Sequence, residues 1–276
     1  MKTPPWIFLK KDEWPSFSEE EKEVIIHLSQ EETQHAVGAL RLRKGDDLTL
    51  FDGQGRKAEA VLLDEHRREA VCLLRFIEND MPPSPRIVIA SAIPEGQRAL
   101  WMIEKMSELG AYAFQPLLFQ RSQGKGYFSE SNAEKVEEKD ALDTDVLEVK
   151  GALGKWKRKA IAAAKQCHRT WLLRIYPPKT FPLWTSERRE RYDMRYTAYG
   201  SPFAAKSGVK WAQGTVSQKA ITFVVGPEGG FLDVEEAQLR EAGAEAVSLG
   251  PYILRVETAV VAASAIISSV FAGERE

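Results

Sequence analysis

Cysteine is nearly missing from this chain of 276 residues: Cys72 and Cys167 stand far apart and in no CxxC pairing. That excludes a disulfide framework and a cysteine-based zinc site, so no metal is expected and a reducing, cytoplasmic location is the simpler expectation. Long apolar runs are missing too. The longest, Ala259–Ala272, is too short and too interrupted by serine to span a bilayer, and no membrane partner is expected. The start, MKTPPWIFLKKDEWP, has no long apolar core or small-residue cleavage site, which argues against a signal peptide. Neither sign of charge dominates. A net charge of -2 leaves any nucleic-acid partner to be judged from local clusters. Phosphate-loop signatures are absent as well, with no GxxxxGK[ST] and no GxGxxG opening a helix.

What is present is an ordinary globular composition, 43% hydrophobic and 28% charged, over a length that suits two domains. The first part reads as a small β-rich domain. Strand-like runs lie at Trp6–Leu9, Asp47–Phe51, Ala58–Leu63 and Ala70–Ile77, with a helical stretch near Glu31–Leu40. Asp52-Gly53 between two of these runs is a hairpin signal. Three prolines among Pro82, Pro83, Ser84 and Pro85 then forbid helix and central strand alike and mark a boundary. Beyond it, strands (Ile87–Ile93, Tyr112–Phe119, Trp171–Tyr176, Arg195–Tyr199, Ile221–Val225, Ala246–Leu249) interleave with helices (Arg98–Leu109, Lys155–Cys167). That alternation predicts a mainly parallel α/β sheet, with ligands at the carboxyl ends of its strands. Residues 124–151 and 201–218 read as surface excursions.

Two glycine turns follow two of these strands. Gly226-Pro227-Glu228-Gly229-Gly230 carries three glycines in five positions, and Leu249-Gly250-Pro251 leads through Ile253-Leu254 into Arg255-Val256-Glu257-Thr258. Each is readable as no more than a tight turn. As ligand loops they suit a neutral or cationic ligand, because Glu228 would repel phosphate and no lysine accompanies the glycines. Asp233 with Glu236 resembles a capping box for a helix ending at Gly243, and the apolar helix Glu257–Phe271 must be buried, in the core or against a second copy. Arg255 and Glu257 are charges in apolar surroundings, readable as an internal ion pair or as a site for a substrate anion. Basic clusters occur at Arg41-Leu42-Arg43-Lys44 and Lys155–Lys159, and acidic ones at Glu19–Glu23 and Glu134–Glu148.

The segments from Val225 to Phe231 and from Leu249 to Ala259 resemble the signature of the ribosomal RNA small subunit methyltransferase E family, of the SPOUT superfamily. Lys105–Gly110, Gln120-Arg121-Ser122 and Trp156–Gln166 with Arg169 are similar to its middle region, and His35–Arg41 with Gly45–Gly55 to its PUA-like domain. The resemblance implies a PUA-like RNA-binding β-barrel at 1–80 and, at 84–276, an α/β SPOUT domain with a deep trefoil knot. It implies S-adenosylmethionine as cofactor, held by Tyr199, Gly200, Val225, Gly226, Pro227, Glu228, Gly229, Gly230, Leu249, Gly250, Ile253 and Leu254. It further implies N3-methylation of a uridine in 16S ribosomal RNA of the small subunit by a homodimer. Arg255 and Glu257 would be catalytic, with Glu257 orienting Arg255 or serving as base, and His35, Arg41, Arg43, Arg121 and Arg169 would meet RNA. The family's acidic residue after the first knot strand is replaced here by Tyr199-Gly200-Ser201. A non-catalytic RNA-binding or assembly factor on the same fold, or an enzyme for another RNA, is the competing reading.

Overall fold

A computed structural model describes residues 3–10, 13–15, 24–66, 68–122, 151–191 and 196–272. Nearly all of the excursion at 124–151, both acidic clusters and Arg195 lie outside them. The chain's described residues form two compact units, one reaching from the N-terminal segment to Pro82 and including Ile161–Leu172, the other formed by the remaining described residues. Ile161–Leu172 thus clusters with the first unit, although it falls inside the range 84–276.

The first unit is built on five strands: β1 (Trp6–Phe8), β2 (Val24–His27), β3 (Asp47–Phe51), β4 (Arg56–Asp64) and β5 (Val71–Asn79). They form one mixed sheet in the order β1-β3-β4-β5-β2, with only β1 and β3 parallel. Alternation along β3 buries Leu48 and Leu50 while Asp47 stays exposed, as a strand with one covered face requires. The Asp-Gly turn between β3 and β4 is held by one carboxylate. Asp52, itself buried, accepts from the backbone N–H groups of Gln54 and Arg56 at 2.7 and 3.0 Å and from Arg56 Nε at 2.7 Å. Gly53 and Gly55, at φ +73° and +102°, take conformations costly for other residues. The predicted helix near 31–40 is α1 (Gln30–Thr33), capped by Ser29, running into a π-helical turn at Gln34–Ala39. Strand β2 escaped the sequence reading; its Val-Ile-Ile core was the available signal.

The second unit contains β6 (Arg86–Ser91), α2 (Gln97–Glu108), β7 (Ala113–Leu118), α3 (Ala152–Cys167, its last residues clustering with the first unit), β8 (Arg174–Ile175) and β9 (Lys179–Thr180). It continues with α4 (Phe181–Arg191), β10 (Thr197–Gly200), α5 (Gly208–Gln213), β11 (Ala220–Val225), α6 (Asp233–Glu241), β12 (Glu245–Val247) and α7 (Val256–Ala272). The strands run parallel in the order β12-β10-β11-β6-β7-β8, with β9 beside β7, as the alternation predicted. Central strands read as near-continuous apolar runs because both faces are covered. Helix α7 is covered as its composition demands, with Val260, Ala263 and Ile267 buried.

Several expectations need correction. The stretch 201–218 is not all loop: Ser207 accepts from Lys210 N and starts α5, which buries Trp211. The strand expected at Trp171–Tyr176 shrinks to Arg174–Ile175, because Trp171 instead bridges to Gln54. The strand expected at Ala246–Leu249 is Glu245–Val247, Ser248 being bound to the backbone at Lys206 and Gly208. At α6, Glu235 rather than Glu236 folds back, accepting from Leu232 N at 2.8 Å; the helix begins one residue earlier than a cap at Asp233 would allow. Gly243, at φ +89°, ends that helix as expected.

Candidate functional site

The two glycine loops leave the carboxyl ends of β11 and β12, and β10 lies between those strands. Gly200 ends β10 in the gap. Around it opens a cavity of about 380 Å³, within the usual range for small-molecule sites. Gly200, Val225, Gly226, Pro227, Glu228, Gly229, Gly230, Leu249, Gly250, Ile253 and Leu254 all line it. Tyr199 does not. It is fully buried, its ring edge-on to Phe231 at 5.6 Å and its hydroxyl bonded to Arg240 Nε at 3.0 Å, so it supports the wall from behind.

Local geometry explains the glycines. A Cβ on Gly226 would lie 2.9 Å from the Phe231 ring, which therefore occupies the space over that residue. Gly230 sits at φ +74° and its N–H donates to Pro227 O at 2.9 Å, closing the turn. Arg121 Nη1 donates to Gly229 O at 3.2 Å and ties the loop to the end of β7. On the other side Ser248 Oγ donates to Gly250 O at 2.9 Å.

The chemistry of the lining is specific. Among the described residues, the amides of Leu249, Ile253 and Leu254 donate to no protein acceptor, leaving backbone groups for a ligand. Glu228 and Glu236 are the charged residues among those lining the cavity; Glu236 is paired with Arg240 Nη2 at 2.5 Å, which leaves Glu228 as the carboxylate with no cation partner among the described residues. Such a pocket repels phosphate and accepts a neutral or cationic ligand with polar edges. Sequence reading missed Ser201, Pro202, Phe203, Phe231, Glu236 and Ala259. Phe203, Tyr252 and Ile253 are large apolar residues left 79–90% exposed beside the opening.

Arg255 and Glu257 part company. Ala259, whose N–H donates to Arg255 O at 2.8 Å, lines the cavity one turn after the exposed Arg255. Glu257 is 6% exposed and outside the lining; its Oε1 lies 3.8 Å from Arg98 Nη1 at the start of α2, and its Oε2 has no protein partner. The two do not form an ion pair, which corrects the expectation that Glu257 orients Arg255.

The predicted RNA contacts are mixed. In the first unit Arg41 and Arg43 are exposed, Arg41 in the left-handed region at φ +59°. His35 is half-buried, and burial, followed by the charge of Lys165, lowers its pKa. Arg169 is half-covered and burial pushes its pKa down to about 10, which keeps its charge. Arg121 belongs to the Gly229 loop. Among the described residues no group of His, Cys, Asp and Glu is placed to hold a metal, and no helix is long and apolar enough to cross a membrane.

The parallel sheet with a backbone-lined cavity at its carboxyl ends and the unit built on a mixed sheet are accompanied by family matches that give the class: the chain is an RNA methyltransferase. The RNA methyltransferase domain family matches residues 82–143 and 142–268, and the RNA methyltransferase PUA domain matches 28–74. More narrowly, the chain belongs to the ribosomal RNA small subunit methyltransferase E family. It is 30% identical over 238 residues to the Mycobacterium bovis member, covering 83% of this chain and 80% of that one. With the Bacillus subtilis member it shares 28% over 263 residues, 93% and 91% of the two chains. The crystal structure of the Neisseria gonorrhoeae member bound to S-adenosyl methionine superposes with a TM-score of 0.74 at 26% identity, covering 98% of each chain.

Proposed function

We propose that this protein transfers the methyl group of S-adenosylmethionine to N3 of a uridine in 16S ribosomal RNA of the small subunit, acting as a homodimer in the cytoplasm. The observation that carries the reading is the cavity between the two glycine loops, whose unpartnered amides and acidic lining suit that cofactor and not a phosphate ligand. Its residues fit the group: Leu249, Ile253 and Leu254 would donate to adenine and methionine acceptors, Gly226–Gly230 would allow close approach, and Glu228 would favour its positive charge. Bound there, the cofactor would supply an activated methyl group.

The chain's own task is positioning and proton loss. Uracil N3 carries a proton that must leave as its new bond forms, so negative charge develops on the base. Arg255, exposed one turn before a cavity residue, would stabilise that charge or hold an adjoining phosphate. Glu257 acts through α7: its contact with Arg98 would fix the start of that helix, which Arg255 immediately precedes. Arg41, Arg43 and Arg169 supply positive charge for the RNA backbone, and His35 a hydrogen-bonding ring. The division into an RNA-binding 1–80 and a catalytic 84–276, and a trefoil knot through the cofactor loops, belong to the same proposal.

The test is methyl transfer from labelled S-adenosylmethionine to small subunits lacking the modification. Labelling of 16S RNA at a uridine N3, lost in Arg255→Ala with cofactor binding retained, is the expected result. Labelling of transfer RNA alone, or of nothing, would refute the substrate assignment.

A further inference from the structure

We propose that the second unit carries a nucleotide site at the amino ends of its parallel strands, separate from the cofactor cavity at their carboxyl ends. A cavity of about 570 Å³ opens there, bordered by Arg86 at the start of β6, Ala220 at the start of β11 and Tyr112 just before β7.

One residue sets this cavity apart from a packing gap. Gln115 lies inside the otherwise apolar β7, is 6% exposed, and lines the cavity. Polar side chains are costly in such positions unless they have partners. Gln115 Nε2 donates to Pro116 O at 3.0 Å and to Pro177 O at 2.8 Å, which fixes the amide; among the described residues its Oε1 accepts nothing. A held acceptor in a buried wall calls for a ligand N–H. The ring imide of a pyrimidine or the exocyclic amine of a purine supplies one.

The remaining walls fit the rest of a nucleotide. Tyr176, Trp184 and Tyr196 offer aromatic surface for a base, a contact tolerant of base identity. Lys179 is neutralised by Glu187 at 2.5 Å, so Arg86 and Lys219 give the mouth its positive charge. Arg86 is held with its guanidinium carbon 5.1 Å from the centroid of Tyr112, over a ring that Arg174 also approaches at 4.8 Å. Acceptor, aromatic walls and cations match base, stacking face and phosphate. The cofactor cavity, acidic and free of cations in its lining, is the electrostatic opposite. The ligand class is therefore a nucleoside 5′-monophosphate, either free or as one residue of single-stranded RNA.

The test is calorimetry on the full chain with uridine and adenosine 5′-monophosphates and with the corresponding pentaribonucleotides, all in saturating S-adenosylhomocysteine to occupy the other cavity. Binding is expected to persist, and to weaken about tenfold or more in Lys219→Glu, which removes one charge-assisted contact from the exposed rim. Ala220→Trp, also at an exposed position, should block the mouth; unchanged melting of both variants shows that the fold is kept. Pentanucleotides binding at least tenfold tighter than monophosphates would identify the RNA chain as the source, and equal affinities a free nucleotide. No binding by any probe, or binding that both variants leave unchanged, would overturn the proposal, as would binding abolished by S-adenosylhomocysteine.

Discussion

Replacing Gly226 by alanine tests the architecture of the cofactor loop directly. The new methyl would stand 2.9, 3.0 and 3.1 Å from Cε2, Cζ and Cδ2 of Phe231, where carbon atoms prefer about 3.5–4.0 Å. The ring must therefore move by roughly 0.5–1 Å. It is not free to do so: Tyr199 meets it edge-on at 5.6 Å and 85°, and Phe119 at 5.6 Å and 75°. Phe119 is itself stacked on Phe181 at 4.9 Å. Losing the two edge contacts costs about 0.5–1.5 kcal/mol each, about 1–3 kcal/mol together, the same range as overpacking a core by one methyl. At about 2–4 °C per kcal/mol this is readable by thermal denaturation. Because Phe231 also lines the cavity, calorimetry with S-adenosylmethionine should show an affinity loss of about tenfold, equivalent to ~1.4 kcal/mol. Phe231→Leu combined with Gly226→Ala should recover much of both losses, giving a coupling above ~0.5 kcal/mol in a double-mutant cycle. Gly230→Ala is the contrast. There φ is +74° and nothing lies within 4 Å of the added Cβ, so the cost is backbone strain of about 1–2 kcal/mol that Phe231→Leu does not relieve. Unchanged melting and affinity in Gly226→Ala, or strict additivity with Phe231→Leu, would refute the argument that this ring is the wall.

Lys165 meets both carboxylate oxygens of Glu32 at 2.6 and 2.7 Å, with only 14% and 10% of the two side chains exposed; Lys165→Met should cost about 3–5 kcal/mol in urea denaturation, and Glu32→Gln in that background should return most of it. Burial raises the pKa of Glu32 despite Lys165, so its contribution is fully present below the unfolded value of 4.5 and lost as pH rises through the raised folded value; the Lys165→Met deficit should shrink towards acid. His35 has the opposite sign: its pKa is lowered by burial, so its contribution is present above 6.5 and lost as pH falls through the lowered folded value. Melting curves between about pH 8 and pH 5 should therefore fall less steeply in His35→Gln, and parallel curves would show that the ring is not protected. Arg121→Ala should leave stability within about 0.5 kcal/mol, since its side chain is exposed, yet weaken S-adenosylmethionine binding a few-fold by freeing the Gly229 carbonyl; equal affinity would show that the loop holds itself.

Periodicity and punctuation made much of the fold legible. Alternating strands and helices after Pro82–Pro85 announced the parallel sheet, and Gly243 announced the end of α6, because these are local signals. What stayed hidden depended on distant partners. Trp171 left its expected strand for Gln54, more than a hundred residues earlier, and Glu235 outcompeted Glu236 at the start of α6 through hydrogen-bond geometry that spacing alone does not distinguish. Helix α5 was masked by the small polar residues around it; its buried Trp211, following a serine cap by four residues, was the overlooked cue.

The cofactor cavity shows the same division more sharply. Glycine content identified both loops, and the lack of lysine identified their preference for ligands that are not anionic, because each property resides in the loop itself. That the loops face one another follows from strand order: β10 lies between β11 and β12, although it precedes both in the chain. Since β10 stops at Gly200, the two flanking loops have no strand between them, and the amides of Leu249, Ile253 and Leu254 are left without partners. An open gap of that kind follows from the sheet's topology and not from any one motif. The direction of Glu257 follows likewise: its neighbour is Arg98 of α2, distant in sequence, and not Arg255 two residues away. A carboxylate turned from the cavity leaves Arg255 as the charged residue of that pair nearest a cavity-lining position, which is why the methyl-transfer assay turns on Arg255→Ala.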